Sequence, residues 1–145
     1  MIGYCDTSAL VKLYVVEPDS DAVAELAAGA EAVAVCRFAW AEAHAAFSRR
    51  ARETPVDRPA IEMAKQALAR DWPSFLVLEV TQAVVEQAGE YADAFALRAY
   101  DSVQLAAAHE TMRIAQMPVA FLSFDIRLNK AARVLGMSVP FPGGA

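Results

Sequence analysis

The sequence predicts the α/β class, with a parallel sheet covered by helices on both faces. Two observations carry this. Short apolar runs recur along the 145-residue chain, each with the length and turn-like ending of a buried strand. Between them lie longer stretches punctuated like helices, with Pro and Gly at their ends. Alternation of the two implies parallel strands with crossovers on both faces. Right-handed crossovers place every strand's C-terminal end on one edge. Ligands in open sheets of this kind bind beyond that edge.

Residues 1–5 predict the first strand, because their apolar run ends in a turn-like Asp6-Thr7-Ser8. A helix follows over Ser8–Tyr14 and is broken at Glu17-Pro18-Asp19-Ser20. Ser20–Ala28 predicts a second helix, closed by Gly29. Ala32–Val35 reads as a strand, and Arg37–Arg52 as a long helix ended by Thr54-Pro55. Arg58–Arg70 is a further helix, and Phe75–Leu78 a third strand. Helices over Gln82–Leu97 and Ala99–Ala115 precede a fourth strand, Val119–Leu122. Ile126–Leu135 predicts a last helix stopped by Gly136, with Met137–Val139 as a fifth strand. The Pro/Gly-rich tail 140–145 is expected to fray.

Composition narrows the function. The length fits one domain, residues 1–145, with a sizeable core. The central uncharged stretch Ile114–Phe124 is shorter than the ~20 apolar residues of a membrane helix, and no other reaches that length. No basic n-region or cleavage site suggests a signal peptide, so the expected compartment is cytoplasmic, with no membrane partner. Cys5 and Cys36 form no CxxC and have no His at metal spacing, so they read as buried thiols without a disulfide. A net charge of −5 argues against a nucleic-acid coat protein but not against a nuclease with a local basic rim. Candidates for such a rim are Arg49, Arg50, Arg52 and Arg58, and separately Arg127, Lys130 and Arg133.

Four acids stand beside apolar segments: Asp6, Glu42, Asp101 and Asp125. Carboxylates near a core are costly unless their charge is compensated. Asp6 and Asp125 each follow a strand and precede a helix, where Asp also serves as an N-cap. Asp101 falls in a first helical turn, where the macrodipole favours it. Glu42 is expected inside its helix, beyond the reach of capping, with Phe38, Ala39, Ala45 and Ala46 around it. Together the four suggest one cation site. Oxygen ligands of this kind suit Mg²⁺ or Mn²⁺, and such a metal suits phosphodiester hydrolysis. His44 lies two residues from Glu42, not at H-E-x-x-H spacing, and His109 stands alone. The serines lack a G-x-S-x-G context, and there is no glycine-rich phosphate loop.

Four segments resemble the motifs of PIN-domain ribonucleases, most closely the VapC-type toxins of toxin–antitoxin pairs. They are D-T-S-A-L-V-K-L-Y from Asp6, W-A-E-A through Glu42, R-A-Y-D-S-V-Q-L-A-A-A through Asp101, and F-L-S-F-D-I-R-L through Asp125. The resemblance implies a three-layer α/β/α sandwich with a central parallel sheet of four to five strands. It implies an Mg²⁺- or Mn²⁺-dependent endoribonuclease with Asp6, Glu42, Asp101 and Asp125 as catalytic and metal residues. Ser8 matches a hydroxyl position of the first motif, suited to the phosphate or metal-water shell. A cognate antitoxin with a basic segment and a homodimer are implied as well. Cys36-Arg37 departs from the Ser or Thr common near the start of the Glu helix. A housekeeping PIN nuclease is the nearest alternative. A phosphoryl-transfer or receiver-like domain fits less well: Ser8 stands where the former needs a second Asp, and no Lys follows the last central strand.

Overall fold

A computed structural model of the chain describes residues 1–142. Four parallel strands form the sheet: β1 Ile2–Cys5, β2 Ala32–Cys36, β3 Leu76–Leu78 and β4 Val119–Leu122. Among the described residues seven helices cover it: α1 Thr7–Lys12, α2 Ser20–Gly29, α3 Ala39–Glu53, α4 Arg58–Asp71, α5 Gln82–Phe95, α6 Ala99–Ala115 and α7 Ile126–Val134. Pro55–Asp57 and Trp72–Ser74 form short 3₁₀ turns on either side of α4.

Strand order is β3-β2-β1-β4. The chain builds outward from β1 to β3, then returns to place β4 on the opposite side of β1. That reversal makes the crevice between β1 and β4 the switch point, where such sheets bind ligands. The two strands run in register from Ile2↔Val119 to Cys5↔Leu122. The ladder continues one residue on, as Asp6 N donates to Leu122 O at 3.1 Å. A receiver-type sheet has the order 2-1-3-4-5, so the topology also departs from that alternative.

The pleat sorts the core into two layers. Ile2, Tyr4, Ala34, Cys36, Val119 and Phe121 face α5, α6 and α7. Cys5, Val35, Ala120 and Leu122 face the helices of the other side, meeting Leu10, Val23, Phe47 and Leu68. Tyr4 stacks on Phe121 with ring centroids 5.7 Å apart. The three-layer sandwich expected from the sequence is therefore present. The two thiols are free and buried. They lie on opposite faces of the sheet, so the pleat keeps them apart.

Several boundaries differ from expectation. The helix carrying Glu42 begins at Ala39 rather than Arg37, because Arg37 N still donates to Leu78 O at 2.9 Å and prolongs the strand. Glu42 thus falls in the first turn of α3 and not in its interior. Residues 137–139 do not form a fifth strand; a single parallel bridge joins Ala120 to Ser138. The tail is anchored where it was expected to fray. Phe141 stacks on Phe124 with centroids 4.8 Å apart, and its carbonyl accepts from Asn129 Nδ2 at 2.7 Å. The remainder of the expected tail, 143–145, lies outside the described residues.

Candidate active site

All four acids line one cavity of about 310 Å³, together with Thr7, Ser8, Gln104 and Phe124. It opens at the C-terminal edge of β1 and β4. Each acid arrives on a helix start: Asp6 is the N-cap of α1, Glu42 and Asp101 lie in the first turns of α3 and α6, and Asp125 is the N-cap of α7. Capping and gathering therefore coexist. Asp6 Oδ1 accepts from Ala9 N at 3.0 Å, and Asp125 Oδ1 from Leu128 N at 2.9 Å.

Asp6 is the most enclosed of the four, at 6% exposure. Its Oδ1 also accepts from Ser8 Oγ at 2.6 Å. Ser8 Oγ in turn accepts from Phe124 N at 3.3 Å, tying α1 to the β4–α7 loop. Burial raises the Asp6 carboxyl to a pKa of about 6; bonds from Ser123, Ser8 and Ala9 oppose this, and the nearby Asp101 adds to it. Asp101 is raised too, by burial first, then by Asp125, with Arg98 pulling the other way.

Glu42 is aimed by a buried chain of polar groups. Tyr4 Oη donates to Gln104 Oε1 at 2.5 Å. Gln104 Nε2 donates to Glu42 Oε1 at 3.2 Å and to Thr7 Oγ1 at 3.3 Å. Thr7 Oγ1 donates to the same Glu42 oxygen at 2.5 Å. The hydroxyl that the Cys36-Arg37 pair does not provide at the helix start thus comes from Thr7 instead. Phe38, the N-cap of α3, makes no side-chain cap bond.

Sequence reasoning missed Thr7, Gln104, Ser123 and Arg98. Gln104 carried a signal, since it sits three residues after Asp101, on the same helix face, in an otherwise apolar run. Thr7 and Ser123 adjoin motif residues but carry no spacing signal of their own. Neither histidine reaches the cavity. His44 packs against Trp40 and Phe47, and His109 Nδ1 pairs with Tyr91 Oη at 2.8 Å. The first group of basic rim candidates also lies elsewhere. Arg49 pairs with Glu53, and Arg50 with Glu17 and Asp57, towards the far end of α3.

The donor chemistry fits a hard divalent cation, because the cavity is lined by carboxylates and hydroxyls, with no His or Cys among its lining residues. Among the described residues, however, no group of three or more His, Cys, Asp or Glu side chains is arranged to hold a metal ion directly. Mg²⁺ keeps several waters and takes few carboxylates, so it does not require such a group.

Comparison with known proteins gives the family and the fold. The PIN domain family matches residues 3–134. The chain is 31% identical to Ribonuclease VapC49 of Mycobacterium tuberculosis over 94% of its own length and 92% of that protein. Ribonuclease VapC35 of the same species is 31% identical over 98% of both chains. Among solved structures, VapBC2 from Rickettsia felis bound to a promoter DNA fragment superposes with a TM-score of 0.64 at 15% identity, covering 96% of this chain and 97% of that one. A toxin–antitoxin complex from Klebsiella pneumoniae gives 0.57 at 15% identity over 85% and 86%. With the acids gathered at the sheet's switch point and the family match spanning nearly the whole sequence, this chain belongs to the PIN-domain family, of the VapC type.

Proposed function

We propose that residues 1–145 work as one PIN-type domain that hydrolyses RNA phosphodiester bonds internally, as the toxin of a toxin–antitoxin pair. The observation that supports this most is the gathering of Asp6, Glu42, Asp101 and Asp125 from four separate elements into one cavity. The names of its relatives, Ribonuclease VapC, point the same way.

In this proposal the four carboxylates hold Mg²⁺ or Mn²⁺, partly through water. A divalent ion there supplies Lewis acidity towards a phosphoryl oxygen and lowers the pKa of a bound water. The chain's own groups do the positioning. Asp6 is fixed by Ala9 N and Ser8. Glu42 is fixed by Thr7 and Gln104. Asp101 and Asp125 stand closer to solvent and face the incoming phosphate. Ser8, exposed at the cavity mouth, has a hydroxyl suited to a phosphate oxygen or a metal-bound water.

The antitoxin in this proposal inserts an Arg or Lys among the four acids. Arginine's planar fork matches a carboxylate bidentately. Its apolar part packs on the Ala-rich helices, and the toxin works as a homodimer in the cytoplasm. No helix among the described residues is long and apolar enough to cross a membrane.

The test is cleavage of a mixed RNA pool by purified protein with Mg²⁺, with Mn²⁺ and with chelator. Wild-type protein should cut only with metal, and Asp101→Asn should not cut. Full cleavage in chelator, or by Asp101→Asn, would refute the assignment. Calorimetry of antitoxin binding at rising Mg²⁺, with ionic strength held constant, should show competition; affinity indifferent to Mg²⁺ would place inhibition elsewhere.

A further inference from the structure

The acid cavity does not end at its carboxylates. A second lobe of about 480 Å³ shares Asp101, Phe124 and Asp125 with it and adds Leu97, Arg98, Ile126 and Arg127. Its character is opposite to that of the first. The acid lobe has no basic lining residue, whereas this one has two arginines. Its volume falls in the range of ligand sites.

Both arginines are available. Arg98 forms no ion pair among the described residues. Arg127 is steadied by donating from Nη1 to Ala96 O at 3.2 Å, a contact that leaves its charge unmatched. Outside the lobe and α7, Arg37, Arg49, Arg50, Lys65 and Arg113 each pair with a nearby acid, while Arg52, Arg58 and Arg70 form no ion pair among the described residues but line neither lobe. The basic character continues along α7. Ile126–Val134 carries Arg127, Lys130 and Arg133, all exposed, and no acid. These three are spaced three residues apart, so they step around the helix surface as it leads away from Asp125.

We infer that the Arg98–Arg127 lobe binds the phosphate next to the scissile one, and that α7 carries the RNA strand onward past Lys130 and Arg133. The inference rests on the proposed ribonuclease function and adds the path of the substrate. Electrostatics make the lobe useful. Four carboxylates repel a polyanion, and cationic side chains beside them offset that repulsion while fixing the strand's register. Arginine does this with two parallel donors to one phosphate.

The test compares wild type, Arg98→Gln, Arg127→Gln and the double variant on two substrates with Mg²⁺. One is a single-stranded RNA 12-mer, and the other a dinucleotide with a single phosphodiester. Arg58→Gln, at the start of α4 and lining neither lobe, is the control for net charge. Each lobe variant should lose roughly tenfold in kcat/KM on the 12-mer, and at least several-fold more there than on the dinucleotide. RNA binding should lose about 0.7 of a unit in the slope of log K against log salt for each phosphate contact removed. Arg58→Gln should change neither. Equal losses on both substrates would overturn the subsite and make the arginines supports of the acid cluster. An unchanged salt slope would overturn it as well. Wild-type protein that cuts neither substrate would instead overturn the ribonuclease function itself, so the two failures are separable.

Discussion

Asp6→Asn should make the metal-free protein more stable, and only above acidic pH. The Asp6 carboxyl lies at about 6 in the fold against 3.8 for a free side chain, chiefly through burial. A folded-state pKa above the unfolded one means that the fold binds the proton more tightly. The associated stability is fully present below pH 3.8 and is lost as pH rises through about 6. A shift of that size corresponds to about 3 kcal/mol at pH 7. Asparagine mimics the neutral acid in shape, and its Oδ1 can still accept from Ala9 N, so the cap survives. The expected gain in chelator at pH 7 is therefore up to about 3 kcal/mol, or roughly 6–12 °C in Tm for a chain of this size. By pH 4 the gain should nearly vanish. Saturating Mg²⁺ should stabilise the wild type by mass action and narrow the difference. Urea unfolding from pH 4 to 7.5, with chelator and with Mg²⁺, measures all of this. A variant no more stable than wild type at pH 7, or one whose gain is the same at pH 4, would refute the reasoning.

Four other outcomes follow from single contacts. Thr7→Val removes the hydroxyl that holds Glu42; a lost hydrogen bond to a charged group is worth about 1.5–3 kcal/mol, so RNA cleavage should fall roughly ten- to hundredfold while circular dichroism stays native. Asn129→Ala removes two bonds, to Ser123 O and Phe141 O, and should cost about 2–3 kcal/mol in denaturant unfolding. Ala96 closes α5 at φ 54°, so Ala96→Gly should raise stability by a few tenths to about 1 kcal/mol in the same assay, the left-handed strain outweighing glycine's entropy. Strong reductant should leave RNA cleavage unchanged, since both thiols are free, buried and on opposite sheet faces; a loss of activity would contradict that.

Much of the fold was legible because strands here are short, apolar on both sides and bounded by acids or turn residues. The span of β4 and the span of α6 match expectation to the residue. Errors fell where tertiary contacts override local preference. Arg37 looks like a helix start, but a hydrogen bond to β3 keeps it on the sheet. Met137–Val139 has the composition of a strand, yet only Ser138 meets β4. Pro and Gly after residue 139 suggest a loose end, but Asn129 on α7, twelve positions earlier in the chain, reaches forward to hold Phe141. The acids were legible because charge beside a core is conspicuous. The groups that aim Glu42 were not, since Tyr4, Thr7 and Gln104 meet only once the sheet and α6 are assembled.

The position of Glu42 changes what the four acids mean together. An acid inside a helix needs a nearby cation to explain it. An acid in a first turn already has one, in the partial positive charge of the helix start. Asp6, Glu42, Asp101 and Asp125 now all occupy that place, on four different helices. Local dipoles thus let the chain carry four acids in one cavity before any ion arrives. They do not remove the mutual repulsion, because Asp6 and Asp101 are still pushed up by burial and by acids facing them. Each dipole acts on its own carboxylate, whereas a cation at the centre acts on all four at once. The fold therefore gathers the acids with repulsion left between them, and under the proposed function a cation relieves it. A metal ion and an inhibitor's guanidinium answer that same demand, which is why the two are expected to compete.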